Sequence, residues 1–469
     1  MTAQSVNDDI KEPTLTKRQK VGIVLGLVAF AIPVVVDVPG LDRQGEFMLG
    51  IFLLAVVFWV TEAIPLFATA AVIILLQVFL TSTTAIVEVS DDAPTAASIF
   101  ASLSNPVIIL FMGGFLIAHG AAKYHLDRNI AAVFMRPFAG SIRLLILGIL
   151  LVTAILSMFM SNTATAAAMF ALVAPILKSL PKGRARWALG LAIPAGANIG
   201  GMGTPVGTPP NAIALAALND QGVSVTFVQW MALAAPFWIL LLAVAWLFLV
   251  RGIPSGQGVE IESSTGFETS WRAIVFYIVT LLTIVLWMTE PLHGVSANAV
   301  GFVPVALFFA FRVLSGTDLQ RLDWPVLWLV AGGIALGNGM SNSGLDVWLI
   351  DLIDWSSLPS IAVLVLLVVV TLLMSTLISN SATANLLVPL SITFAALAGE
   401  NVLTVAAMIA LAASLAMAMP ISTPPNAIAY ATGHVSLRAM ATLGAVIGSI
   451  GAVILALVMP WLWHLMGVA

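Results

Sequence analysis

Long, unbroken apolar runs dominate the chain. "VGIVLGLVAFAIPVVV" at 21–36 and "FWILLLAVAWLFLV" at 237–250 carry no charge and approach the roughly 20 residues needed to cross a bilayer. Polar breaks between such runs predict spans near 21–36, 47–60, 64–80, 105–120, 187–218, 228–250, 272–290, 295–314, 323–343, 402–432 and 437–466, about eleven transmembrane helices in all. Two further apolar stretches, 142–178 and 359–397, are too long for one span. Each carries a polar cluster in its middle, "SNTATAAAM" at 161 and "SNSATANLL" at 379. They predict two re-entrant hairpins that enter and leave on the same side; two full crossings joined by a tight turn would give the same parity. The expected class is an all-α polytopic membrane protein, because a segment in lipid must pair its own backbone groups.

Charge placement gives this layout a direction, since Lys and Arg collect in cytoplasmic loops. With the N-terminus inside, 17 of the 18 basic residues fall on the cytoplasmic face and only Arg43 lies outside. Acidic loops are expected on the opposite face, with Glu88, Asp91 and Asp92 in one and Asp346, Asp351 and Asp354 in another. An odd number of crossings puts the C-terminus outside. The first apolar run leads straight into more spans, so it is expected to stay as the first span and not to be cleaved as a signal. This is a multi-pass protein of the inner (plasma) membrane, embedded in the lipid bilayer, with no feature that points to nucleic acid.

Composition narrows the chemistry. At 60% hydrophobic, 9% charged and without cysteine, the chain has no disulfide framework and no thiolate metal site. There is no Walker motif or soluble nucleotide-binding unit, which argues against an ATP-driven pump. No Ser-His-Asp or His-Glu cluster converges, so the chain is not expected to be an enzyme. His119 and His125 are expected to be cytoplasmic surface groups, and Trp59, Trp230, Trp271, Trp461 and Trp463 to be interfacial anchors.

The chain also repeats itself. "WVTEAIP" at 59 corresponds to "WMTEPLH" at 287, "NPVIILFMGGF" at 105 to "WPVLWLVAGGI" at 324, and "TPPNAIA" occurs identically at 208 and 423. With the two Ser-Asn clusters, the pairs keep the same order. The expected organisation is a cytoplasmic segment 1–20, a first helix and loop 21–46, a first repeat 47–250, a cytoplasmic linker 251–271 and a second repeat 272–469. Five crossings plus a hairpin per unit make the repeats inverted, which is a property of secondary transporters with a site at the midplane.

The polar clusters fit such a site. In "GANIGGMGTPVGTPPNA" (196–212) the glycines free the backbone, and Pro209 and Pro210 lack the amide hydrogens that would continue a helix. The helix should break at the midplane and restart with Thr208 as N-cap; "AMAMPISTPPNA" (416–427) should do the same at Thr423 and Pro424. Ser161, Asn162 and Thr163 fit the tip of the first hairpin, and Ser379, Asn380 and Ser381 that of the second. Four half-helices would then aim their N-termini, each with a partial positive charge, at one region. That arrangement suits an anion, while freed carbonyls suit a hard cation. Small polar residues in membrane helices are mostly packing residues, but packing does not require Pro-Pro breaks in both halves. No Lys or Arg is expected near the centre of any span, so a dianion would need a co-bound cation; Na⁺ coupling follows more naturally than proton coupling. Glu62 and Glu290, at matching repeat positions near membrane edges, are expected to anchor a turn or cap a helix.

These paired motifs, "SNT" at 161 with "SNS" at 379 and the two "TPPN" segments, resemble those of the divalent anion/sodium symporter family over nearly the whole chain after residue 20. The resemblance implies a homodimer in which a transport domain moves against a scaffold as an elevator. It also implies a first Na⁺ site at Ser157, Ser161, Asn162 and the backbone from Gly200 to Gly203, and a second at Ser375, Ser379, Asn380 and the backbone near Ser422. Substrate carboxylates would meet Asn162, Thr163, Thr208, Asn380, Ser381, Thr423 and Pro424. Ser381 departs from the family pattern, where Thr is frequent, which bears on substrate choice. The expected function is import of C4-dicarboxylates such as succinate, malate or fumarate with Na⁺ as coupling ion. The alternatives are an anion exchanger on the same fold, or sulfate or a tricarboxylate as substrate.

Overall fold

The computed structural model describes residues 15–87, 92–254, 266–352 and 359–467, and every regular element among them is a helix. Lys11, Glu88, Asp91, Asp354 and the linker stretch 255–265 lie outside the described residues. Nine described helices are long and apolar enough to cross a membrane. Six are ordinary span candidates: Lys17–Val35, Arg43–Thr61, Ala96–Lys123, Phe227–Val250, Trp271–Met288 and Leu437–Leu465. The other three, Ile142–Phe159, Ser360–Leu377 and Asn380–Ala398, are arms of the two expected hairpins. Each hairpin turns within two residues, Met160 and Ser161 in the first, Ile378 and Ser379 in the second.

The expected span at 187–218 is two helices, Arg184–Gly201 and Pro209–Asp220, and that at 402–432 is Val402–Ser414 and Pro424–Ala431. Both breaks fall at the glycine and Pro-Pro signals. The 295–314 segment is shorter than expected, with helices Ala297–Val300 and Phe302–Ala310 meeting at Gly301. There a Cβ would come within 2.7 Å of the Leu110 backbone, so only glycine allows the crossing.

Several short helices escaped the hydropathy pattern, and two of them match. Leu126–Met135 and Leu345–Asp351 each follow a residue in the left-handed region, His125 (φ 54°) and Gly344 (φ 66°). Each then begins Leu-Asp, and Asp127 and Asp346 are both buried. They are a further repeat pair, "HLD" and "GLD", standing between a span and the hairpin that follows it. Asp346 is therefore no loop carboxylate: its Oδ2 accepts from Ser341 Oγ and Thr393 Oγ1, both at 2.8 Å.

The tryptophans correct a second expectation. Trp271 and Trp461 are exposed as anchors should be, but Trp59, Trp230 and Trp463 are fully buried. Their indole N–H groups donate to the Leu66, Met202 and Leu233 carbonyls. Glu290 holds its expected structural place, accepting the backbone N–H of Phe227 at 2.9 Å and of Ala297 at 3.1 Å, whereas its repeat mate Glu62 is exposed at a left-handed helix end.

His119 is not a free surface group either. Its Nε2 lies 2.9 Å from Asp318 Oδ1, and Lys123 Nζ donates to Asp318 Oδ2 at 2.7 Å. Tyr124 Oη and Lys123 Nζ also reach the Val313 carbonyl, tying the end of one span to the 313–318 turn. Burial alone would push the Asp318 carboxyl up. Donors from Lys123, His119 and Ser315 outweigh it and hold the carboxyl below the usual range. A depressed folded-state value means stability that is full above the ordinary aspartate range and lost as pH falls through it. Asp318→Asn should cost about 1–3 kcal/mol, less than a fully buried pair because Lys123 is partly exposed. The loss should persist down to about pH 5 and shrink below about pH 4, read as the gap between wild-type and variant thermal unfolding curves.

Candidate functional site

The two hairpin tips and the two helix breaks form matched half-sites. In the first, Ser161 closes the turn, its Oγ accepting from Ala164 N at 3.2 Å as N-cap of Asn162–Ser179. Asn162 is the first helical residue. With its amide nitrogen turned toward the surrounding acceptors, it donates to Ser157 Oγ (2.6 Å), the Gly207 carbonyl (3.1 Å) and the Ala197 carbonyl (3.3 Å). Ser157 Oγ donates its own hydrogen to the Ala197 carbonyl at 2.9 Å. Gly201 is required beside this tip, because a Cβ there would stand 2.6 Å from the Asn162 amide. Glycine at 200 lets the break lie against the Ala154 backbone, and Gly203 turns back to donate to the Gly200 carbonyl at 2.8 Å.

The second half-site repeats the plan. Ser379 caps Asn380–Ala398 through Ala382 N at 3.1 Å. Ser375 Oγ lies 2.5 Å from the Ala413 carbonyl and 2.8 Å from Asn380 Oδ1. A hydroxyl has one hydrogen for these two acceptors, so one oxygen keeps a lone pair unused. Ser157 and Ser375 are fully buried, while Ser161, Asn162, Ser379, Asn380 and Ser381 are half-buried and Thr163 is exposed. The tips thus keep an accessible face.

The halves interlock. Helix Pro424–Ala431 of the second repeat packs against Asn162–Ser179 and Arg184–Gly201 of the first, and Pro209–Asp220 packs against Asn380–Ala398 and Val402–Ser414. The helices that begin at Asn162 and Pro424 therefore pack together, as do those that begin at Asn380 and Pro209. Thr208 and Thr423 occupy the N-cap positions in extended backbone, but neither side chain makes the capping hydrogen bond. The Thr423 hydroxyl and that of Ser422 are instead buried without a partner. The first break is sealed within the protein; at the second, Met419, Ile421 and Pro424 are exposed.

The reading from sequence missed the last letter of "TPPN". Asn211 Nδ2 reaches the Gly201, Met202 and Thr204 carbonyls at 3.0, 3.3 and 2.7 Å, and Asn426 Nδ2 reaches those of Met417 and Met419 at 2.7 and 3.1 Å. These are carbonyls released where the helices stop, and a buried carbonyl needs a donor. Identical placement in both repeats was the available signal. Thr165 and Thr383, one turn beyond each tip, were missed too; both hydroxyls are fully buried and unpartnered.

The donor set consists of hydroxyl, amide and carbonyl oxygens. Such oxygens fit a hard cation such as Na⁺, and the unpaired buried ones at Ser422 and Thr423 are suited to one. No cluster of three or more His, Cys, Asp or Glu stands among the described residues. All the site residues named here are neutral.

Known proteins share the fold. Two solved transporters match in fold: YdaH of Alcanivorax borkumensis, at a TM-score of 0.52 and 17% identity over 89% of this chain and 98% of its own, and MtrF of Neisseria gonorrhoeae, described as an antimetabolite efflux pump, at 0.53 and 12% over 94% and 97%. Among sequence relatives, the sodium-dependent dicarboxylate transporter SdcS of Staphylococcus saprophyticus is 30% identical over 95% of this chain and 91% of its own length. SdcS of Staphylococcus aureus is 29% identical over 96% and 92%. These relatives are transporters and not enzymes. The family described as the sodium:sulfate symporter transmembrane region matches residues 15–469, and the chain belongs to that family.

Proposed function

We propose that the protein imports C4-dicarboxylates such as succinate across the plasma membrane together with Na⁺. The observation that carries this reading is the pair of neutral Ser-Asn half-sites, Ser157 with Asn162 and Ser375 with Asn380, each joined to a freed helix end. Ser157, Ser161, Asn162 and the Gly200–Gly203 backbone would hold one Na⁺; Ser375, Ser379, Asn380 and the Ser422 backbone would hold the other. Asn162, Thr163, Thr208, Asn380, Ser381, Thr423 and Pro424 would meet the carboxylates. The bound ion supplies the positive charge that the site residues lack, and their amides and hydroxyls orient the substrate oxygens. The printed names of the relatives support both the coupling ion and the substrate class.

Transport would proceed in a homodimer, with the hairpins and broken helices moving as one body against the remaining spans. The interlocking of the two repeats around the site supports a single moving unit. The N-terminus would be cytoplasmic and the C-terminus outside.

Purified protein in liposomes provides the test. Under an inward Na⁺ gradient, radiolabelled succinate should accumulate in vesicles that contain no internal anion, and unlabelled malate and fumarate should compete. Uptake that requires internal succinate and ignores Na⁺ would replace this reading with exchange. Competition by sulfate or citrate and not by malate would change the substrate.

A further inference from the structure

The two half-sites are joined by one side-chain hydrogen bond across the repeats. Asn198 Nδ2, in the last turns of Arg184–Gly201, donates to Asn426 Oδ1 at 3.1 Å, and both residues are buried. Each partner sits one step from a half-site. The residue before Asn198 is Ala197, whose carbonyl accepts from Ser157 and Asn162. Asn426 spends its nitrogen on the Met417 and Met419 carbonyls of the second break. A continuous path therefore runs from the first hairpin tip through Ala197, Asn198 and Asn426 to the backbone of the second break.

The mirror-image path is missing. Ala197 and Ala413 are equivalent, since each receives its repeat's buried serine, so the mate of Asn198 is Ser414. Ser414 Oγ turns back to the Ala410 carbonyl of its own helix at 3.1 Å. Asn211, the mate of Asn426, is left with a buried Oδ1 that has no partner. Packing symmetry would have supplied both bonds or neither.

We propose that the Asn198–Asn426 bond couples the two cation half-sites, with Asn198 as the positioning residue that transmits occupancy of the first to the second. The proposal rests on the sodium-coupled reading above. A cation drawn to the first tip competes with the Asn162 amide nitrogen for the Ser157 and Ala197 oxygens and resets the turn that carries Asn198. Through Asn426 that shift fixes where the Met417 and Met419 carbonyls point. A discrete bond between two packed elements is the kind of physical link that coupling requires.

Two measurements test it on the full-length protein. In liposomes, Asn198→Ser should lower the Na⁺ Hill coefficient of succinate uptake toward one, and should cut the affinity gain of one Na⁺ for the other by about fivefold. Maximal uptake should stay within about threefold, as this substitution copies the residue of the second repeat. Adding Ser414→Asn, which offers a donor to the idle Asn211 Oδ1, should restore the sigmoid. A wild-type Hill coefficient in Asn198→Ser overturns the proposal, as does an equal loss of maximal uptake and cooperativity that Ser414→Asn fails to rescue. The second measurement does not need Na⁺ coupling. Asn162→Ala should raise amide hydrogen exchange across 416–422 in the native background and leave it unchanged in an Asn198→Ser background. If wild-type uptake ignores Na⁺, the transport reading fails, while equal exchange responses in the two backgrounds would overturn the bridge itself.

Discussion

Uptake falls at least about 100-fold in Asn162→Ala and equally in Asn380→Ala, while expression and assembly remain those of the wild type. Asn162 is bonded at once to Ser157, Ala197 and Gly207, so its amide is the point where hairpin, helix end and break meet. Removing it strips these contacts, leaving Ser157 held only by its bond to the Ala197 carbonyl and the Gly207 carbonyl without the amide. Hydrogen bonds that involve an ion are worth about 1.5–3 kcal/mol each, and a loss of about 3 kcal/mol is more than a hundredfold in binding. The fold is spared because the tip is half-buried and the alanine fits a first helical turn whose cap is Ser161. Size-exclusion profiles and thermal unfolding report assembly, and labelled succinate reports transport. An alanine variant at either tip that transports at the wild-type rate would remove that tip from the site.

Local signals made most of this architecture readable. Pro-Pro after a threonine stops and restarts a helix wherever it occurs, and both breaks fell where "TPPN" put them. Ser before Asn caps a returning helix, and both hairpins turned there. What could not be read was the direction in which a side chain faces. Hydropathy treats Trp59 and Trp461 alike, yet one is fully buried and donates to Leu66 while the other is exposed. Nor does a threonine at an N-cap position reveal that its hydroxyl is turned elsewhere, as at Thr423. The role of Asn211 depends on which carbonyls the break releases, and that is known only once Gly201, Met202 and Thr204 are placed around it. Short helices such as Leu345–Asp351 have too few residues to stand out as spans, and only their repetition marks them.

The apparent affinity for succinate rises with Na⁺, by at least about tenfold from Na⁺-free to saturating conditions, and Na⁺ affinity rises with succinate by the same factor. The reason is charge. The site residues carry no fixed cation, so a dianion drawn from water meets only helix ends and neutral donors. Each helix start offers about half a positive charge spread over its free amides, and four of them are shared with whatever else binds. A cation seated first among the Ser157 and Ser375 clusters turns an unfavourable desolvation into an attraction in a low-dielectric site. Linkage then requires reciprocity, because the two orders of binding reach the same ternary state. Coupling factors of 5–150-fold are typical of such pairs, which places about tenfold within reach of one favourable charge contact. Ser157→Ala and Ser375→Ala should shift the Na⁺ dependence first, and succinate affinity only as far as the linkage carries it. Isothermal titration of succinate at a series of Na⁺ concentrations, with choline replacing Na⁺, measures both arms. A succinate affinity that stays flat across the series would mean that helix ends and neutral donors suffice for the dianion, and would favour exchange over symport.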